Sequence, residues 1–370
     1  MHRRVVAVIP TRGRTGDAAA AARSVLARDA ATRVVIVDDN DHPTSVPFAD
    51  RVDVVREPDV NAELVEATGS ELPSLREGLP SGWGAGLARN VGILFSLLRF
   101  DATHHLLVDD DIELLATPHC ADRVVALGRL SGVPDLSPLE WMQAFVWAEA
   151  GPSAAPPIGG PIVRNVADAL ARAESASCLG GGKPTVIGFD ERHDWGVPQF
   201  ASGGLMLIET HRAMSVPFPP GVDEDVHWTH MIDPGAAVDA EPSLRGVHRP
   251  TRLRALDAEL LSRYALGSSL AVLCRLALTH SDTMLSSGHR LVLYRLKKEA
   301  NAAKGLASAS VPYDGLRGVR EQLEAYSRWA DSQTASDVAL LTETARRFRD
   351  YTSCWRTIRS SLESAPRQQR

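Results

Sequence analysis

The feature that most constrains the fold is the alternation of short apolar runs with helical patterns in the first third of the chain. Continuous apolar, β-branched runs occupy residues 3–10, 32–39, 51–57 and 104–110, and helical spacing between them predicts helices at 16–29 and 84–100. Strands that are apolar throughout are typical of a parallel sheet covered on both faces by helices. We therefore predict an α/β fold with a mostly parallel sheet and flanking helices.

The rest of the chain divides into two parts. Residues 150–250 are rich in Gly and Pro and contain one clear strand, at 200–209, which predicts long loops that wall a functional site. From about residue 251 strand signals vanish, and helical spacing continues to about residue 365. We therefore expect a main domain over 1–250 and a helical C-terminal extension over 251–370. The extension would cover a site or mediate a homodimer, and the sequence does not choose between these roles.

Composition excludes several classes of protein. The chain has 370 residues, of which 44% are hydrophobic and 23% charged, as in an ordinary globular protein. Its formal net charge of -6 argues against binding to nucleic acid or to an anionic membrane. The four cysteines form no CxxC pair, so reduced thiols are expected rather than a zinc ribbon. We find no signal-peptide core and no transmembrane segment, because Arg275 interrupts the longest apolar stretch, and we expect a cytoplasmic protein.

The sheet suggests a bound nucleotide, but the usual glycine-rich phosphate loops are missing. The turn after the first strand, PTRGRTG, has two glycines in the wrong spacing for a dinucleotide fingerprint, and no GxxxxGK[ST] P-loop occurs. The cluster GWGAGLARN follows no strand and carries Arg89 where a third glycine would stand. A Rossmann dehydrogenase is therefore disfavoured. The remaining way to hold a diphosphate is a divalent cation carried by carboxylates.

Carboxylates stand where such a cation would bind. Three consecutive aspartates, Asp109 to Asp111, come at the end of one apolar run, and Asp39 comes at the end of another. The ligand crevice of a parallel sheet lies at the carboxyl ends of its strands, so these side chains should converge on one rim. On an extended segment Asp109 and Asp111 would point the same way and share one ion, while Asp110 faces elsewhere. The alternative is an acidic turn in which one aspartate caps the following segment.

The order of the motifs resembles that of the GT-A fold nucleotide-sugar glycosyltransferases, and most closely the inverting family 2. The segments VVAVIPTRGR, VVIVDDND, GLARNVGI and HLLVDDDIEL are followed by ASGGLMLIE and GVDEDVHW, in the order that family uses. The second segment has Asn40 and Asp41 where Gly-Ser is more usual. The resemblance covers about residues 1–250. It implies a GT-A (Rossmann-like) domain in which 1–115 binds the nucleotide sugar and 116–250 carries the acceptor and catalytic part.

The resemblance also implies roles for single residues toward the donor. Asp39 would accept a hydrogen bond from the nucleobase or ribose, and Arg89 would assist at the base or phosphate side. Pro10, Thr11 and Arg12 would form the wall under the nucleoside. Asp109 and Asp110 complete the candidate donor-binding residues. Asp109 and Asp111 would hold Mn²⁺ or Mg²⁺, with Asp111 the stronger candidate, and His248 is a candidate for a further metal or phosphate contact.

The acidic pair Glu224 and Asp225 provides the catalytic candidates. Asp225 occupies the position of the catalytic base in the family, where it would deprotonate an acceptor hydroxyl and give inversion at the anomeric carbon. In the competing interpretation these acids only complement the dipole of the helix they begin.

These observations together predict a metal-dependent inverting glycosyltransferase. The expected donor is a nucleoside diphosphate sugar, with UDP as the commonest nucleotide of the family, and the expected acceptor is a hydroxyl of a small molecule or glycoside. The alternatives are a retaining GT-A transferase, a nucleotidyltransferase that makes nucleotide sugars, and a non-catalytic scaffold that binds them. The nucleotidyltransferase is disfavoured, because PTRGRTGD is a poor match to the loop such enzymes carry.

Overall fold

The computed structural model describes residues 4–29, 32–40, 51–77, 79–80, 83–117, 125–134, 136–150, 161–172, 185–186, 204–232, 238–249, 254–279, 285, 287–309 and 317–364. The strands in these ranges are β1 (Val5–Thr11), β2 (Arg33–Asp38), β3 (Val52–Val55), β4 (His104–Val108), β5 (Ile112–Ala116), β6 (Val125–Gly132), β7 (Thr185–Val186), β8 (Leu205–Glu209), β9 (Val238–His248) and β10 (Arg254–Ala255). The helices are α1 (Thr15–Arg28), α2 (Glu57–Thr68), α3 (Ala85–Phe100), α4 (Pro138–Ala150), α5 (Pro161–Arg172), α6 (Thr210–Ala213), α7 (Glu224–Thr229), α8 (Ala258–Thr279), α9 (Gly288–Ala307), α10 (Arg317–Ser332) and α11 (Ala339–Ser364).

Eight of the strands form one mixed sheet in the order β3-β2-β1-β4-β8-β6-β9-β5. Strands β1 to β4 are mutually parallel, β8 runs antiparallel to both neighbours, β9 is parallel to β6, and β5 is antiparallel at the edge. The prediction of an α/β fold with a mostly parallel sheet is confirmed. Because β1, β2 and β4 point the same way, their carboxyl ends at Thr11, Asp38 and Val108 meet at one rim of the sheet.

Both faces of the sheet are buried, which explains why its strands are apolar throughout. Val6 and Val8 of β1 face a large hydrophobic core that includes α2, α3 and the C-terminal helices. Ala7 and Ile9 of the same strand face a smaller core under α1 and β5. Successive side chains of a strand point to opposite faces, so each face receives its own apolar set.

The prediction of long loops around a single strand is wrong for two described parts of residues 150–250, whereas the stretches 151–160, 173–184 and 187–203 lie outside the described residues. Helix α5 and the long strand β9 lie within that range. The register of β9 against β6 shifts between Leu127 and Arg129, so the pairing is irregular where the strand carries Pro242. Such a bulge interrupts the period-two pattern by which strands are recognised in a sequence. The predicted strand at 200–209 is present as β8, although residues 200–203 lie outside the described ranges.

The helical C-terminal region is confirmed in α8 to α11, and the two-residue strand β10 precedes it. These helices pack on the same hydrophobic core as the sheet rather than forming a core of their own. Polar contacts join the two parts as well. Trp355 Nε1 donates to the Met214 carbonyl at 3.0 Å, and Arg347 Nη2 donates to the Ser74 carbonyl at 2.8 Å. The extension therefore contacts the segment after α6 and the segment between α2 and α3.

One described helix, α8, is long and apolar enough to cross a membrane by length and composition. Of its most apolar window, 56% is buried inside the protein, a burial that the core helix of a soluble protein also shows.

Candidate active site

The three aspartates form a tight turn between β4 and β5. Ile112 N donates to the Asp109 carbonyl at 3.1 Å, which closes the turn. The expectation that Asp109 and Asp111 point the same way is therefore wrong, because the alternation of side chains holds only on an extended segment. Asp109 pairs with Arg89, whereas Asp110 and Asp111 both pair with Arg14.

Arg14 is the residue that the sequence analysis missed. It directly precedes α1, and its two terminal nitrogens lie 2.6 Å from Asp110 Oδ1 and 2.6 Å from Asp111 Oδ2, although the first contact lacks hydrogen-bond geometry. Thr11 at the end of β1 donates its hydroxyl to Asp110 at 2.8 Å. The signal was present in the Arg-rich turn PTRGR that follows the first strand. This turn faces the acidic turn because β1 and β4 are paired neighbours.

The two aspartates on Arg14 differ in charge state. Burial raises the pKa of Asp110 to about 7, helped by Asp111 and Asp109 and opposed by Arg14 and Thr11. Burial also works to raise the pKa of Asp111, but the hydrogen bond and charge of His248, together with Arg14, lower that pKa well below its usual range. Of the two aspartates on Arg14, Asp111 is therefore the more strongly anionic.

His248 at the end of β9 faces Asp111. Its Nε2 lies 3.6 Å from Asp111 Oδ1, and its Nδ1 lies 2.7 Å from the Val133 carbonyl oxygen. A carbonyl only accepts hydrogen bonds, so Nδ1 carries the proton, and Nε2 of a neutral ring is then an acceptor. Two acceptors that face each other require a cation between them, either a proton on Nε2 or a metal ion.

The donor set fits Mn²⁺ or Mg²⁺. A carboxylate oxygen is an ordinary ligand for both ions, and the imidazole nitrogen, which transition metals accept more readily than Mg²⁺ does, favours Mn²⁺. Within the described ranges, no group of three or more His, Cys, Asp or Glu residues is arranged to hold a metal. Of the described residues, Asp111 and His248 would be ligands, with phosphate oxygens and water at further positions, as is usual for Mg²⁺. Asp109, the other predicted ligand, is instead engaged by Arg89 at 2.6 Å.

Arg89 connects the acidic turn to the acidic pair on α7. It lies in the second turn of α3, is 2% exposed, and pairs with Asp109 on one side and Glu224 on the other. Its guanidinium carbon lies 5.9 Å from the centre of the Phe218 ring. The next residue, Asn90, binds the backbone of Phe218 through two hydrogen bonds. Its side chain donates to the Phe218 carbonyl at 2.9 Å and accepts from the Phe218 N–H at 2.8 Å. The Arg-Asn dipeptide thus joins α3 to the chain that leads into α7.

Gly86 permits this close approach. A Cβ atom at position 86 would lie 2.3 Å from the Pro219 carbonyl oxygen and 2.9 Å from Cγ of Glu224. No side chain larger than hydrogen fits there unless the backbone before α7 moves.

The acidic pair begins helix α7, as predicted. Glu224 is 7% exposed and is held by Arg89, whereas Asp225 is only partly buried and its Oδ1 accepts the N–H of Val226 at 2.8 Å. Asp223 before them has φ 56, a left-handed conformation, and accepts a hydrogen bond from the hydroxyl of Tyr264 on α8. Of the two candidate catalytic acids, Asp225 is the more accessible and Glu224 is part of a buried ion pair.

A cleft of about 1030 Å³ opens beside the rim, between the end of β2, α2 and the start of α3. Asp39 and Arg12 line it, with Arg12 Nη1 3.8 Å from Asp39 Oδ2. Arg76, another residue that the sequence analysis missed, pairs with Asp39 and Glu57 in the wall. Of the three residues predicted to wall a nucleoside, only Arg12 lines the cleft. Pro10 is buried within β1, and Thr11 is 3% exposed beneath Asp110.

Comparison with known proteins adds little. No protein-family model matches the chain. No curated protein matches it either. Among solved structures, glucosyl-3-phosphoglycerate synthase from Mycobacterium tuberculosis, in complex with Mn²⁺, UDP and glucosyl-3-phosphoglycerate, is 13% identical, over 74% of this chain and 80% of that chain, with a TM-score of 0.38. The mannosyltransferase PcManGT from Pyrobaculum calidifontis, in complex with GDP-Man and Mn²⁺, is 13% identical over 98% and 86%, with a TM-score of 0.33. S. aureus TarS is 12% identical over 93% and 91%, with a TM-score of 0.32.

Proposed function

We propose that the protein is a metal-dependent glycosyltransferase of the GT-A type that uses a nucleoside diphosphate sugar. The observation that carries the proposal is the Asp111 and His248 pair, which presents two metal-ligand atoms 3.6 Å apart at the rim of the sheet. The polar cleft with Asp39 in its wall opens at the same rim. A diphosphate bound between the cleft and the Asp111–His248 pair would lie close to a metal ion held by that pair.

The charge balance of the rim supports a bound cation. Among the described residues, four carboxylates pair with two guanidinium groups: Asp109 and Glu224 with Arg89, and Asp110 and Asp111 with Arg14. Protonation of Asp110, whose pKa is raised to about 7, removes one of the four negative charges. While His248 is neutral, as a metal ligand must be, the three remaining carboxylates meet two guanidinium groups, so negative charge is in excess. A divalent ion would compensate that excess.

The donor nucleoside is assigned to the large cleft. Asp39 offers a carboxylate to the base or ribose, and the guanidinium groups of Arg12, Arg56 and Arg76 line the same cavity. Guanidinium groups suit phosphate oxygens because they form paired hydrogen bonds. UDP is the proposed nucleotide, since uridine is the commonest base in the family that the motifs resemble.

The bound metal ion would supply Lewis-acid stabilisation of the leaving diphosphate. Asp225 would accept the proton of an acceptor hydroxyl as that oxygen attacks the anomeric carbon, an effect of roughly 10²–10⁴-fold. Glu224 and Arg89 would hold α7 in place beside the acidic turn. Attack from the face opposite the diphosphate inverts the anomeric centre, so the product anomer is opposite to that of the donor.

Thermal unfolding with UDP, GDP and dTDP, each with and without Mn²⁺, tests the proposal. A ligand at 100 times its dissociation constant stabilises a protein by about 2.7 kcal/mol. We expect one nucleotide to raise the melting temperature only when Mn²⁺ is present, and EDTA to abolish the rise. If no nucleotide raises it under any condition, the glycosyltransferase proposal is wrong. Inversion, a cytoplasmic location and a homodimer through the C-terminal helices stay predictions.

A further inference from the structure

The carboxylate that the large cleft offers to a nucleoside is held by one arginine. Arg76, in the segment between α2 and α3, pairs with Asp39 through Nη1 and with Glu57 through Nε. This ion pair engages Oδ1 of Asp39, and Oδ2 lies 3.8 Å from Nη1 of Arg12, another residue of the cleft. The direction in which the Asp39 carboxylate points therefore depends on where Arg76 lies.

The segment that carries Arg76 has no regular secondary structure. Residues 69–77 are in neither a helix nor a strand, and Leu72 and Leu75 anchor them in the hydrophobic core, at 3% and 1% exposure. The N–H of Leu79 reaches the Arg76 carbonyl at 3.0 Å and forms a turn. Because such a segment has few backbone hydrogen bonds of its own, its position depends on what packs against it.

The C-terminal extension supplies this support through α11. Arg347 donates from Nη2 to the Ser74 carbonyl at 2.8 Å and from Nη1 to the Glu77 carbonyl at 3.3 Å. The two acceptors stand two residues before and one residue after Arg76. One planar guanidinium group therefore binds the backbone on both sides of the residue that contacts Asp39, and two donors on one plane fix direction as well as position.

A second residue of α11 lies close to the same ion pair. Tyr351 follows Arg347 by one helical turn and is 3% exposed. Burial raises the pKa of its hydroxyl, the charge of Glu57 raises that pKa further, and the charge of Arg76 opposes the rise. Since Arg76 and Glu57 also line the large cleft, their ion pair connects the wall of the cleft to α11.

Gly84 shows how closely the ion pair is packed. A Cβ atom at position 84 would lie 2.9 Å from Nη1 of Arg76 and 2.9 Å from Oδ2 of Asp39. Both contacts are too short for a carbon atom, so one or both side chains would have to move. A methyl group there would therefore displace the ion pair without removing either of its members.

We propose that the C-terminal extension is part of the donor site, and that Arg347 is a positioning residue for nucleotide binding. It fixes residues 74–77, these fix Arg76, and Arg76 directs the carboxylate of Asp39 toward the base or ribose of a nucleoside diphosphate. The inference rests on the proposed function, because it requires a nucleotide in the large cleft. A side chain that is ordered before binding costs no ordering when the ligand arrives, which strengthens binding by about two- to tenfold.

The nucleotide affinity of arginine variants tests the inference. UDP, GDP and dTDP are each titrated into the full chain by calorimetry in the presence of Mn²⁺. Arg347→Gln should raise the dissociation constant of the nucleotide that binds by about two- to tenfold. Arg347→Lys should raise it less, because an ammonium group can still donate to one of the two carbonyls. Unchanged affinity in Arg347→Gln would overturn the inference.

The neighbouring arginine of α11 is the matched control. Arg346 pairs with Glu343 of the same helix at 3.1 Å, so Arg346→Gln should leave nucleotide affinity unchanged. Equal weakening in Arg346→Gln and Arg347→Gln would show a general effect of charge on α11 and contradict the inference. Melting curves without nucleotide check that each variant folds, and Arg347→Lys decides alone if Arg347→Gln does not fold.

A double-mutant cycle distinguishes positioning of Asp39 from general loosening of the fold. Asp39→Ala removes the carboxylate that Arg347 is inferred to position. In that background Arg347→Gln should weaken nucleotide binding no further, whereas effects that add would show that Arg347 acts by another route. Gly84→Ala, which leaves α11 unchanged, should weaken binding by about two- to tenfold because it displaces Arg76 and Asp39.

The wild type separates failure of the inference from failure of the proposed function. If none of the three nucleotides binds in the presence of Mn²⁺, the proposed function is wrong and the inference falls with it. If one of them binds and Arg347→Gln does not weaken it, only the role assigned to the extension is wrong.

Discussion

A carboxylate oxygen of Asp111 lies 3.6 Å from Nε2 of His248, and the sheet holds the two residues at this separation. Ile112 and His248 are register partners in the antiparallel pairing of β5 with β9, and Arg249 N donates to the Asp111 carbonyl at 2.7 Å. On the opposite edge of the imidazole ring, Nδ1 donates to the Val133 carbonyl at 2.7 Å. The two candidate ligands are therefore positioned by backbone pairing, which is the arrangement that a preorganised metal site requires.

Asp225 and Glu224 should behave differently when changed. Asp225→Asn should lower the rate of sugar transfer by about 10²–10⁴-fold, because the amide cannot accept the proton, and should leave UDP and Mn²⁺ binding unchanged. Glu224→Ala should lower the free energy of unfolding by about 3–5 kcal/mol, because it leaves buried Arg89 with one carboxylate fewer. Transfer assays and chemical denaturation separate the two effects. Transfer at the normal rate in Asp225→Asn would remove Asp225 as the base.

Gly86→Ala tests the close approach of α3 to the segment before α7. The added methyl group would meet the Pro219 carbonyl oxygen at 2.3 Å, so the backbone must move, at a cost of about 1–3 kcal/mol of unfolding free energy. Gly16→Ala in α1 is the matched control, because no atom lies within 4 Å of the new Cβ. We expect the control to stabilise the protein by about 0.4–1 kcal/mol. Equal effects of the two changes would argue against tight packing at Gly86.

Tyr264→Phe tests whether α8 positions the acidic pair. Loss of the hydroxyl removes the hydrogen bond that holds Asp223 at φ 56, a conformation that non-glycine residues adopt at a cost. We expect the rate of sugar transfer, measured by the UDP formed, to fall by about tenfold, equivalent to about 1.4 kcal/mol. The affinity for UDP should be unchanged. Addition of Asp223→Gly should restore part of the rate, because glycine adopts this conformation without help. A normal rate in Tyr264→Phe would show that the contact does not position the pair.

The raised pKa of Asp110 predicts that the free energy of unfolding depends on pH. Its pKa is about 7 in the folded protein, whereas the ordinary value is 3.8. Between these two pH values the folded state keeps a proton that the unfolded state has lost. The contribution of Asp110 is therefore complete below about pH 4 and is lost as the pH rises through about 7. Asp110→Asn, which does not titrate, should become more stable relative to the wild type as the pH rises from about 5 to about 8. Urea denaturation in EDTA measures this, with Asp331→Asn as an exposed control. A difference that does not change with pH would mean that Asp110 is ionised throughout.

The residues at the rim of the site could be predicted from local sequence patterns. Period and composition are sufficient to recognise β1, β2 and β4, and parallel strands necessarily bring Thr11, Asp39 and Asp109 to one edge. The acidic start of α7 was also visible, because Glu224 and Asp225 begin a helix where the dipole favours carboxylates.

The conformation of the acidic turn and the partners of its side chains did not follow from the sequence. Whether Asp109 to Asp111 extend or turn depends on the pairing of β5 with β9, more than a hundred residues away in the chain. Arg89 meets Glu224 across 135 positions, and Asp111 meets Arg14 across 97. Tyr264 contacts Asp223 from α8, and the sequence of α8 gave no sign of this contact beyond its helical spacing. Such contacts are set by the tertiary fold, which periodicity does not encode.

The most direct test of the metal site is electron paramagnetic resonance titration of Mn²⁺ in the presence of UDP, for the wild type, Asp111→Asn, His248→Gln and the exposed control Asp331→Asn. We expect one bound Mn²⁺ in the wild type and the control, and an affinity lower by at least about tenfold in each site variant, since each removes one of two protein ligands. Unchanged Mn²⁺ affinity in both Asp111→Asn and His248→Gln would contradict the assignment of this pair as the metal site.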